Sequence, residues 1–510
     1  MKIKKVLQVV SIITCICMSV ACSKGTSNSN GNGEGSTVTE EGKVINIDKD
    51  KLPYTQEEIF DQLFDINNFI QVNIDISNEE LAKIQKDYEE YGEKGSKSPI
   101  YRQANLKITI KTEKDQYTYL MEDIGIRMKG NTSRTDFYSE EEGQYNLIHF
   151  KIDLQETFDD EKYYDEPVDW SEDEEGRKER KDRTFATLEN MELRWNKCDD
   201  STYIREYAAY EMYREQGLLA PHTNLASTDV AGNHQGVFLL YEPIDKVFIE
   251  KYIAEEDQGG DLYKAAWTRR GANLTTKSSV GIEDEDAGKF YNYDLKTNKK
   301  DSKGEIMKNL INKLNTSISK EEIAELVDMD YFVKYEAVSY FIGDPDDARN
   351  NYNNHYVYFL KSSGKAIFIP CDLDRCFGVT KDWNPNGDGM VSVDPYSTMA
   401  AGIGEKQANP LYKKTVCEGG YYIEEYTKAL KDVFYSKYLT FDKFEEIYNI
   451  AKGNYSSKST PSKLYYNGEW HDFSFSLERT SGLNTSEGNA SVKEYLQAKK
   501  EYFLGYIKGK

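Results

Sequence analysis

Residues 344–378 read DPDDARNNYNNHYVYFLKSSGKAIFIPCDLDRCFG, and this stretch decides the predicted fold around it. Two runs rich in β-branched and aromatic residues, 356–360 and 365–370, flank a short turn that contains Gly364, which predicts a β-hairpin. An acidic, amide-rich loop precedes the hairpin and a second acidic turn follows it. Because a hairpin returns the chain to the end at which it started, we expect the two acidic segments to face each other.

The two segments carry carboxylate and amide side chains. Those on the first segment are Asp346, Asp347, Asn351 and Asn354, and those on the second are Asp372 and Asp374. Oxygen atoms of these two types are the ligands that hard cations such as Mg²⁺ and Mn²⁺ prefer. An Asp pair in a turn is usually solvated turn chemistry, but two acidic clusters around one hairpin favour a metal site.

The same order of residues matches the layout by which protein kinases present a catalytic Asp, an Asn five residues later and a metal-binding Asp beside Phe-Gly. Asp346 has Asn351 five positions on, which favours Asp346 as the catalytic base. Asp344 and Asp347 are the alternatives. Either acidic residue of the second segment could ligate the metal. This pattern predicts phosphoryl transfer.

A second motif, Lys129-Gly-Asn-Thr-Ser-Arg134, ends a predicted strand with free backbone N–H groups and two cations, a combination suited to phosphate. The alternative is a β-turn with exposed charges. Lys151 lies in the middle of the next predicted strand, 148–154. It needs a partner if it points inward, and it is otherwise an outward-facing residue.

Composition limits the partners. The chain has 510 residues, a net charge of −23 and a pI of about 4.9. So acidic a surface repels nucleic acid and anionic membrane, which we exclude as primary ligands. The cysteines beyond residue 22 are too few for a disulfide framework and lack CxxC zinc spacing. No HExxH, nucleophile elbow or P-loop occurs.

The N-terminus predicts export. Residues 1–21 have a lysine-rich start and an apolar run too short for a comfortable membrane span, which is typical of a signal peptide. Cys22 follows Ser-Val-Ala, which resembles a lipobox in which the cysteine is lipidated. Residues 22–53 read as a flexible tether. We expect an extracytoplasmic protein held on the bacterial cell membrane only by its lipid; the alternative is an ordinary cleaved secretory peptide.

The periodicities predict an α+β chain with a β-rich half, 54–245, and a helical half, 246–510. One long helix is predicted over 320–342, delivering the chain to Asp344. The run 156–183 is acidic and then basic, which predicts a solvated surface insertion, with docking of a basic substrate as the alternative. The segment 382–389 resembles a calcium loop but has Val393 where the bidentate ligand belongs.

These motifs together resemble the CotH family of secretory kinases over about residues 125–378. The matching segments are GIRMKGNTSR at 125–134, the strand with Lys151, YIREYAAYEMY at 203–213, GVFLLYEPID at 236–245, GDLYK at 260–264, and the two acidic segments around the hairpin. The resemblance implies a divergent protein-kinase-like bilobal fold that binds ATP with Mg²⁺ or Mn²⁺. It also implies phosphorylation of Ser or Thr on exported, surface or spore-coat proteins.

By position, the resemblance implies that Asp346 is the catalytic Asp and that Asn354 with Asp372 or Asp374 holds the metal. It implies that Lys129 and Lys151 contact phosphate and that Tyr241-Glu242 lies at the hinge beside adenine. The chain departs from the family pattern at Cys371, where tryptophan is usual. A cell-surface adhesion or scaffold protein on the same fold is the main alternative function, and AMP transfer, which uses the same groups, is another.

Overall fold

The computed structural model describes residues 42–130, 133–139, 144–198, 200–266, 271–379, 388–398, 408–458, 463–466, 469–472, 474–478 and 491–508. Cys22 and the signal peptide lie outside these ranges, as does most of the calcium-like loop at 382–389. Within the described ranges, no helix combines the length and the apolar character that crossing a membrane requires.

The β-rich half contains most of the predicted strands. Its elements are, in chain order, β1 (Lys43–Asn46), α1 (Gln56–Phe64), β2 (Phe69–Asp75), α2 (Asn78–Glu93), β3 (Arg102–Lys111), β4 (Gln116–Lys129), β5 (Tyr138–Ser139), β6 (Gln144–Tyr145), β7 (His149–Asp153), α3 (Glu174–Lys181), β8 (Asn190–Trp195), α4 (Arg205–Glu215), β9 (Thr223–Val230), β10 (Asn233–Tyr241) and α5 (Lys246–Tyr252). Residues 43–46, predicted as tether, instead form β1 and pair in parallel with β4.

Seven of these strands form a closed ring. The order is β4-β3-β2-β9-β10-β8-β7, and β7 pairs back onto β4. Strand β4 is long enough to pair with β3 along most of its length and with β7 at its C-terminal end. Alternating apolar residues such as Ile126, Phe150 and Leu193 are fully buried in the core. The residues that alternate with these apolar ones along β4, β7 and β8 therefore point away from the barrel interior.

The second half is more mixed than the predicted helical half. Its elements are a 3₁₀ turn (Glu255–Asp257), β11 (Leu262–Ala265), β12 (Val280–Gly281), β13 (Tyr293–Leu295), α6 (Glu305–Leu314), α7 (Lys320–Leu326), α8 (Met329–Ile342), β14 (His355–Phe359), β15 (Ala366–Pro370), α9 (Pro410–Thr415), α10 (Ile423–Phe434), a 3₁₀ turn (Lys437–Leu439), α11 (Phe441–Tyr455), β16 (Lys463–Tyr466), β17 (Glu469–Asp472) and α12 (Val492–Lys508). A second sheet runs in the order β12-β13-β11-β14-β15.

The single helix predicted over 320–342 is wrong in one respect, because the chain breaks it into α7 and α8. Val327 forms a parallel bridge with Ala366 on β15, and the Asp328 N–H donates to the Ala366 carbonyl at 3.1 Å. The Asp328 side chain then accepts the N–H of Tyr331 and caps α8. A contact with a distant strand therefore overrides the local helical preference.

The acidic run at 156–183 was predicted to be solvated, and the structure anchors it at several points. Phe158 is buried. The Arg183 guanidinium is also buried and donates to the carbonyl oxygens of Leu154 at 2.6 Å and Glu122 at 2.7 Å. Arg180 donates to the Asp123 carbonyl at 2.6 Å. The insertion is thus attached to the barrel beside β4, while most of its carboxylates remain on the surface.

Candidate functional site

The β14–β15 hairpin brings the two acidic segments together as predicted. His355 pairs with Pro370 at the open end of the hairpin. There the Cys371 N–H donates to the Asn354 carbonyl at 3.1 Å, and the Asn354 amide donates to the Asp372 carbonyl at 2.8 Å. Asn354 and Asp372 have φ angles of 51° and 56°. Asn and Asp tolerate this left-handed conformation better than most residues do, so their identities suit the backbone of the turn.

Asp346 is surrounded by side-chain amides. One carboxylate oxygen accepts the amide of Asn351, and the other accepts those of Asn353 at 3.3 Å and Asn354 at 3.2 Å. Burial raises the pKa of Asp346 to about 6, against the opposing effect of the Asn351 hydrogen bond. A carboxylate with a pKa just below neutrality can accept a proton more readily than an ordinary aspartate can.

Asp347 has a different environment. Its carboxylate accepts the Ser339 hydroxyl at 2.5 Å, the backbone N–H groups of Arg349 at 3.0 Å and Asn350 at 2.7 Å, and the Asn350 amide at 2.8 Å. The residue is buried, and burial raises its pKa. Both oxygens of this carboxylate therefore accept hydrogen bonds, from α8 and from the loop that follows Asp347, and they stabilise the shape of that loop.

The second acidic segment faces cations on the barrel. An Asp372 carboxylate oxygen lies 2.9 Å from the Arg194 guanidinium. Partial desolvation alone would raise the pKa of Asp372, but Arg194 and Lys129 outweigh it and lower that pKa. Asp374 accepts the Cys198 thiol at 3.1 Å, and burial followed by the negative charge of Asp372 raises its pKa. Asp372 therefore stays ionised more readily than Asp374 does.

The outward face of β4 and β8 carries a buried charge cluster. Lys129 forms an ion pair with Glu192, and Arg194 contacts the same carboxylate at 2.9 Å. The Arg194 guanidinium also lies 3.7 Å from the centre of the Tyr241 ring. Burial, reinforced by the neighbouring Arg194, lowers the pKa of Lys129 to about 7. Burial opposes ionisation of Glu192, but the cations prevail and lower its pKa.

Helix α4 links this charge cluster to the acidic turn through Glu206. Its carboxylate contacts Arg194 at 3.3 Å and accepts the Leu373 N–H at 3.2 Å and the Tyr210 hydroxyl at 2.8 Å. Burial raises the pKa of Glu206 to about 7. The Glu206 side chain therefore holds Arg194, which faces Asp372, and it also holds the backbone between Asp372 and Asp374.

A cavity lies between α4, the end of β8 and the acidic turn. Its charged and thiol lining comes from Arg194, Lys197, Cys198, Asp200, Arg205, Glu206, Asp372 and Asp374, and its walls include His149, Trp195 and Leu239. Burial lowers the pKa of His149 to about 3, so this imidazole is neutral at physiological pH. Acidic and basic groups share the cavity, which therefore suits a small charged ligand.

The donor chemistry around the hairpin fits a hard divalent cation. The available ligand atoms are carboxylate and amide oxygens, and one buried carboxylate oxygen of Asp344 has no hydrogen-bond partner. In the described residues no three His, Cys, Asp or Glu side chains form a ready ligand group. A cation here would therefore need Asp346 or Asp374 together with the amide oxygens of Asn351 and Asn354 and with solvent.

The other predicted residues lie at varying distances from this centre. Lys151 lies between Arg127 and Glu192 in the strand register. It is on the same side of the sheet as Lys129 and Arg194, which we call the cationic face, and it forms no ion pair among the described residues. Arg134 lines a different cavity. The Glu242 carboxylate is buried and accepts the N–H of His222 at 2.9 Å and the Tyr252 hydroxyl at 2.9 Å, so both of its oxygens are used to stabilise the end of β10.

Sequence reasoning missed Glu192, Arg194 and Glu206. The first two alternate with Met191, Leu193 and Trp195, and charges at alternate positions of an apolar strand were the signal used for Lys151. Glu192 and Arg194 could have been identified from the same alternation. Glu206 had no comparable signal, because a charged residue in the first turn of a helix is ordinary.

Comparison with known proteins gives the family. The model for the family described as CotH kinase protein matches residues 150–497, more than half of the chain. The chain belongs to the CotH family. It is also similar to the inner spore coat protein H of Bacillus subtilis (strain 168), at 23% identity over 227 residues. That alignment covers 42% of this chain and 58% of the relative, so the chain spans less than two thirds of the relative's length.

The matched region of the CotH family contains both acidic segments, the hairpin, Glu192, Arg194 and α4. Lys129 and Arg134 precede it. The hairpin and α4 therefore lie within the part of the chain that the family model matches, whereas the phosphate contacts predicted for Lys129 and Arg134 lie outside it.

Proposed function

We propose that this chain is an exported protein kinase that transfers the terminal phosphoryl group of ATP to Ser or Thr hydroxyls, using Mg²⁺ or Mn²⁺. The observation that carries the proposal is the arrangement of Asp346, held by three amides, opposite the Asp372–Arg194 pair across one hairpin. The family description, CotH kinase protein, supports the same reaction class. A divergent protein-kinase-like arrangement of two lobes belongs to this proposal.

In the proposed reaction the acceptor hydroxyl oxygen bonds to the γ-phosphorus and the bond from that phosphorus to the bridging oxygen breaks, so ADP leaves. Asp346 orients the hydroxyl and takes its proton, for which a pKa of about 6 is suited. Asp374, Asn351 and Asn354 would hold the cation, with Asp372 on the side facing Arg194. When bound, the cation neutralises phosphate charge.

The cationic face would bind the phosphates. Lys129, Arg194 and Lys151 present their charges from neighbouring strands, and Glu192 keeps two of them in position. Asp347 acts as a positioning residue, because its carboxylate is occupied by the loop backbone. Arg134 and the Glu242 carboxylate have no direct role in this proposal. The backbone near Tyr241-Glu242 keeps its proposed place beside adenine.

The proposed location is outside the cytoplasm, which agrees with the spore-coat name of the similar protein. We propose that Cys22 carries the lipid that holds the protein on the membrane and that its substrates are exported proteins. A Cys22→Ser variant should then move from the detergent phase to the aqueous phase in Triton X-114 partitioning. Unchanged partitioning would contradict the lipid anchor.

The test uses the full chain in detergent, incubated with ATP, Mg²⁺ or Mn²⁺ and a Ser/Thr-rich acceptor protein, with the intact masses of both proteins measured. We expect the mass of one phosphate to be added, to depend on the divalent cation and to be lost with EDTA. Asp346→Asn and Asp374→Asn should each reduce the rate by at least about a hundredfold. Asp432→Asn, on the exposed face of α10, is the matched control and should keep the rate.

The outcomes separate the candidate functions. An added AMP that depends on Asp346 would keep the site but replace the reaction by AMP transfer. A nucleotide-induced rise in Tm without any mass change, across several exported acceptor proteins, would indicate nucleotide binding without this activity. Neither a mass change nor a rise in Tm would favour the adhesion or scaffold function. Full activity of Asp346→Asn would refute its role as base.

A further inference from the structure

A second cationic cavity lies on the barrel surface between α2 and the end of β4. It is lined by Ile84, Asp87, Tyr88, Ser98, Ile100, Arg127, Met128 and Arg134. Arg127 is two residues before Lys129 on β4, so the two side chains point to the same side of the strand about 7 Å apart. The cavity therefore neighbours the candidate site but has its own lining.

The two arginines in this cavity have unused hydrogen-bonding capacity. Arg127 donates to the Ser98 carbonyl at 3.0 Å and also hydrogen-bonds to the Tyr101 side chain, and Arg134 donates to the Ser96 carbonyl at 2.9 Å. The Nε atoms of both arginines are buried and have no hydrogen-bond partner. A buried N–H donor without an acceptor is unfavourable, so both groups would gain from an acceptor that reaches them.

The nearby carboxylates are engaged elsewhere. Asp87 forms a two-point contact with Arg102, at 2.8 and 2.6 Å. Glu285 accepts the Ser96 hydroxyl at 2.8 Å and the Lys97 N–H at 3.0 Å. In the described residues neither Arg127 nor Arg134 forms an ion pair with a carboxylate. Two guanidinium groups, with the Lys97 ammonium close by, thus lie together without a direct carboxylate contact in the described residues, and Glu285 attracts them only from a distance.

We propose that Arg127 and Arg134 form a binding site for a single phosphoryl group, separate from the phosphates of the nucleotide. Guanidinium forks match the oxygens of a phosphate in spacing and charge. The group could come from inorganic phosphate or from a phosphoserine on a protein. The site does not depend on the proposed kinase activity, because it requires neither nucleotide nor divalent cation.

The test titrates inorganic phosphate into the full chain at constant ionic strength, without nucleotide or divalent cation, and follows Tm and phosphate binding. We expect saturable binding that weakens at least about tenfold in Arg127→Gln and in Arg134→Gln. Arg177→Gln, in the surface insertion, removes an arginine already paired with Asp159 and should bind normally. Asp346→Asn should also bind normally, so loss of catalysis and loss of this site are distinguishable.

Two further measurements complete the test. Line broadening of the ³¹P signal of phosphate by the wild-type protein does not rely on any variant, and its absence would overturn the proposal even if an arginine variant failed to fold. A fluorescent phosphoserine peptide that competes with phosphate, when its unphosphorylated form does not, would identify a phosphoprotein as the source; binding of phosphate alone would identify the free anion. The contrary outcome is that ATP displaces phosphate from the wild-type protein and that Arg127→Gln no longer binds ATP. These two results together would show that phosphate and ATP share one site, and they would refute a separate phosphate site.

Discussion

At the residue scale, Glu192 balances the charge of the candidate site. Its carboxylate is the anion between Lys129 and Arg194, and all three are largely withdrawn from solvent. We expect Glu192→Gln to lower the free energy of unfolding by about 3 kcal/mol, because two buried cations then lose their partner. Urea denaturation measures this change. Glu446→Gln, which removes an exposed partner of Lys443 on α11, should leave the unfolding midpoint nearly unchanged.

The predicted meeting of the two acidic segments was confirmed, because its signal was local. The amide-rich loop and the second turn indicated which side chains would meet, since hairpin geometry follows from a short stretch of sequence. The spacing to Asn351 favoured Asp346 over Asp347, but it did not show how their surroundings differ. The carboxylate of one binds the loop backbone and that of the other is held by side-chain amides, and that difference depends on how the loop closes.

At the element scale, the β9–β10 turn carries a pH-sensitive contact. His234 lies 2.8 Å from Asp229, and this hydrogen bond raises the pKa of His234 while lowering that of Asp229. A raised histidine pKa contributes stability that is complete below about pH 6.5 and is lost as the pH rises through the raised value.

His234→Gln should therefore lower the urea midpoint at pH 6 and have little effect at pH 9. The difference should be below about 1 kcal/mol, since the pair is partly exposed. Equal losses at both pH values would show that His234 acts through packing or through its contact with the Lys458 carbonyl, without titration.

Elements defined by periodicity were largely predicted, and those defined by distant partners were not. The hairpin strands, β2, β3 and α4 follow from local patterns. The break between α7 and α8 depends on Ala366, which is far along the chain, and β1 depends on β4. No periodicity within a segment can report such a partner.

At the scale of the whole molecule, Tyr455 joins the two halves of the chain. Its hydroxyl donates to the Leu225 carbonyl at 2.7 Å and accepts the Ile70 N–H at 2.8 Å, so α11 is fixed to β2 and β9 of the barrel. The β2–β9 pairing in the ring joins residues 156 apart in the sequence, and the Tyr455 contacts join residues 230 and 385 apart, which is why neither was predicted.

Tyr455→Phe should destabilise the protein by about 1–3 kcal/mol, because two buried backbone groups lose their partner. Thermal unfolding, followed separately by circular dichroism and by limited proteolysis, should show a lower Tm. Tyr435→Phe is the matched control, because Tyr435 is 81% exposed. A Tm as low in the control as in Tyr455→Phe would contradict this role for the Tyr455 hydroxyl.

Closure of the barrel also limits how another protein can dock. Every strand of the ring has a neighbour on both sides, and β15 is met on its outer side by Val327 and Asp328 at Ala366. Strands with an unpaired side in the described residues are otherwise short, such as β1 with four residues and β12 with two. An extended partner segment thus finds little backbone to which it can add a strand. Recognition must then come from side chains, and self-association through exposed sheet edges is disfavoured.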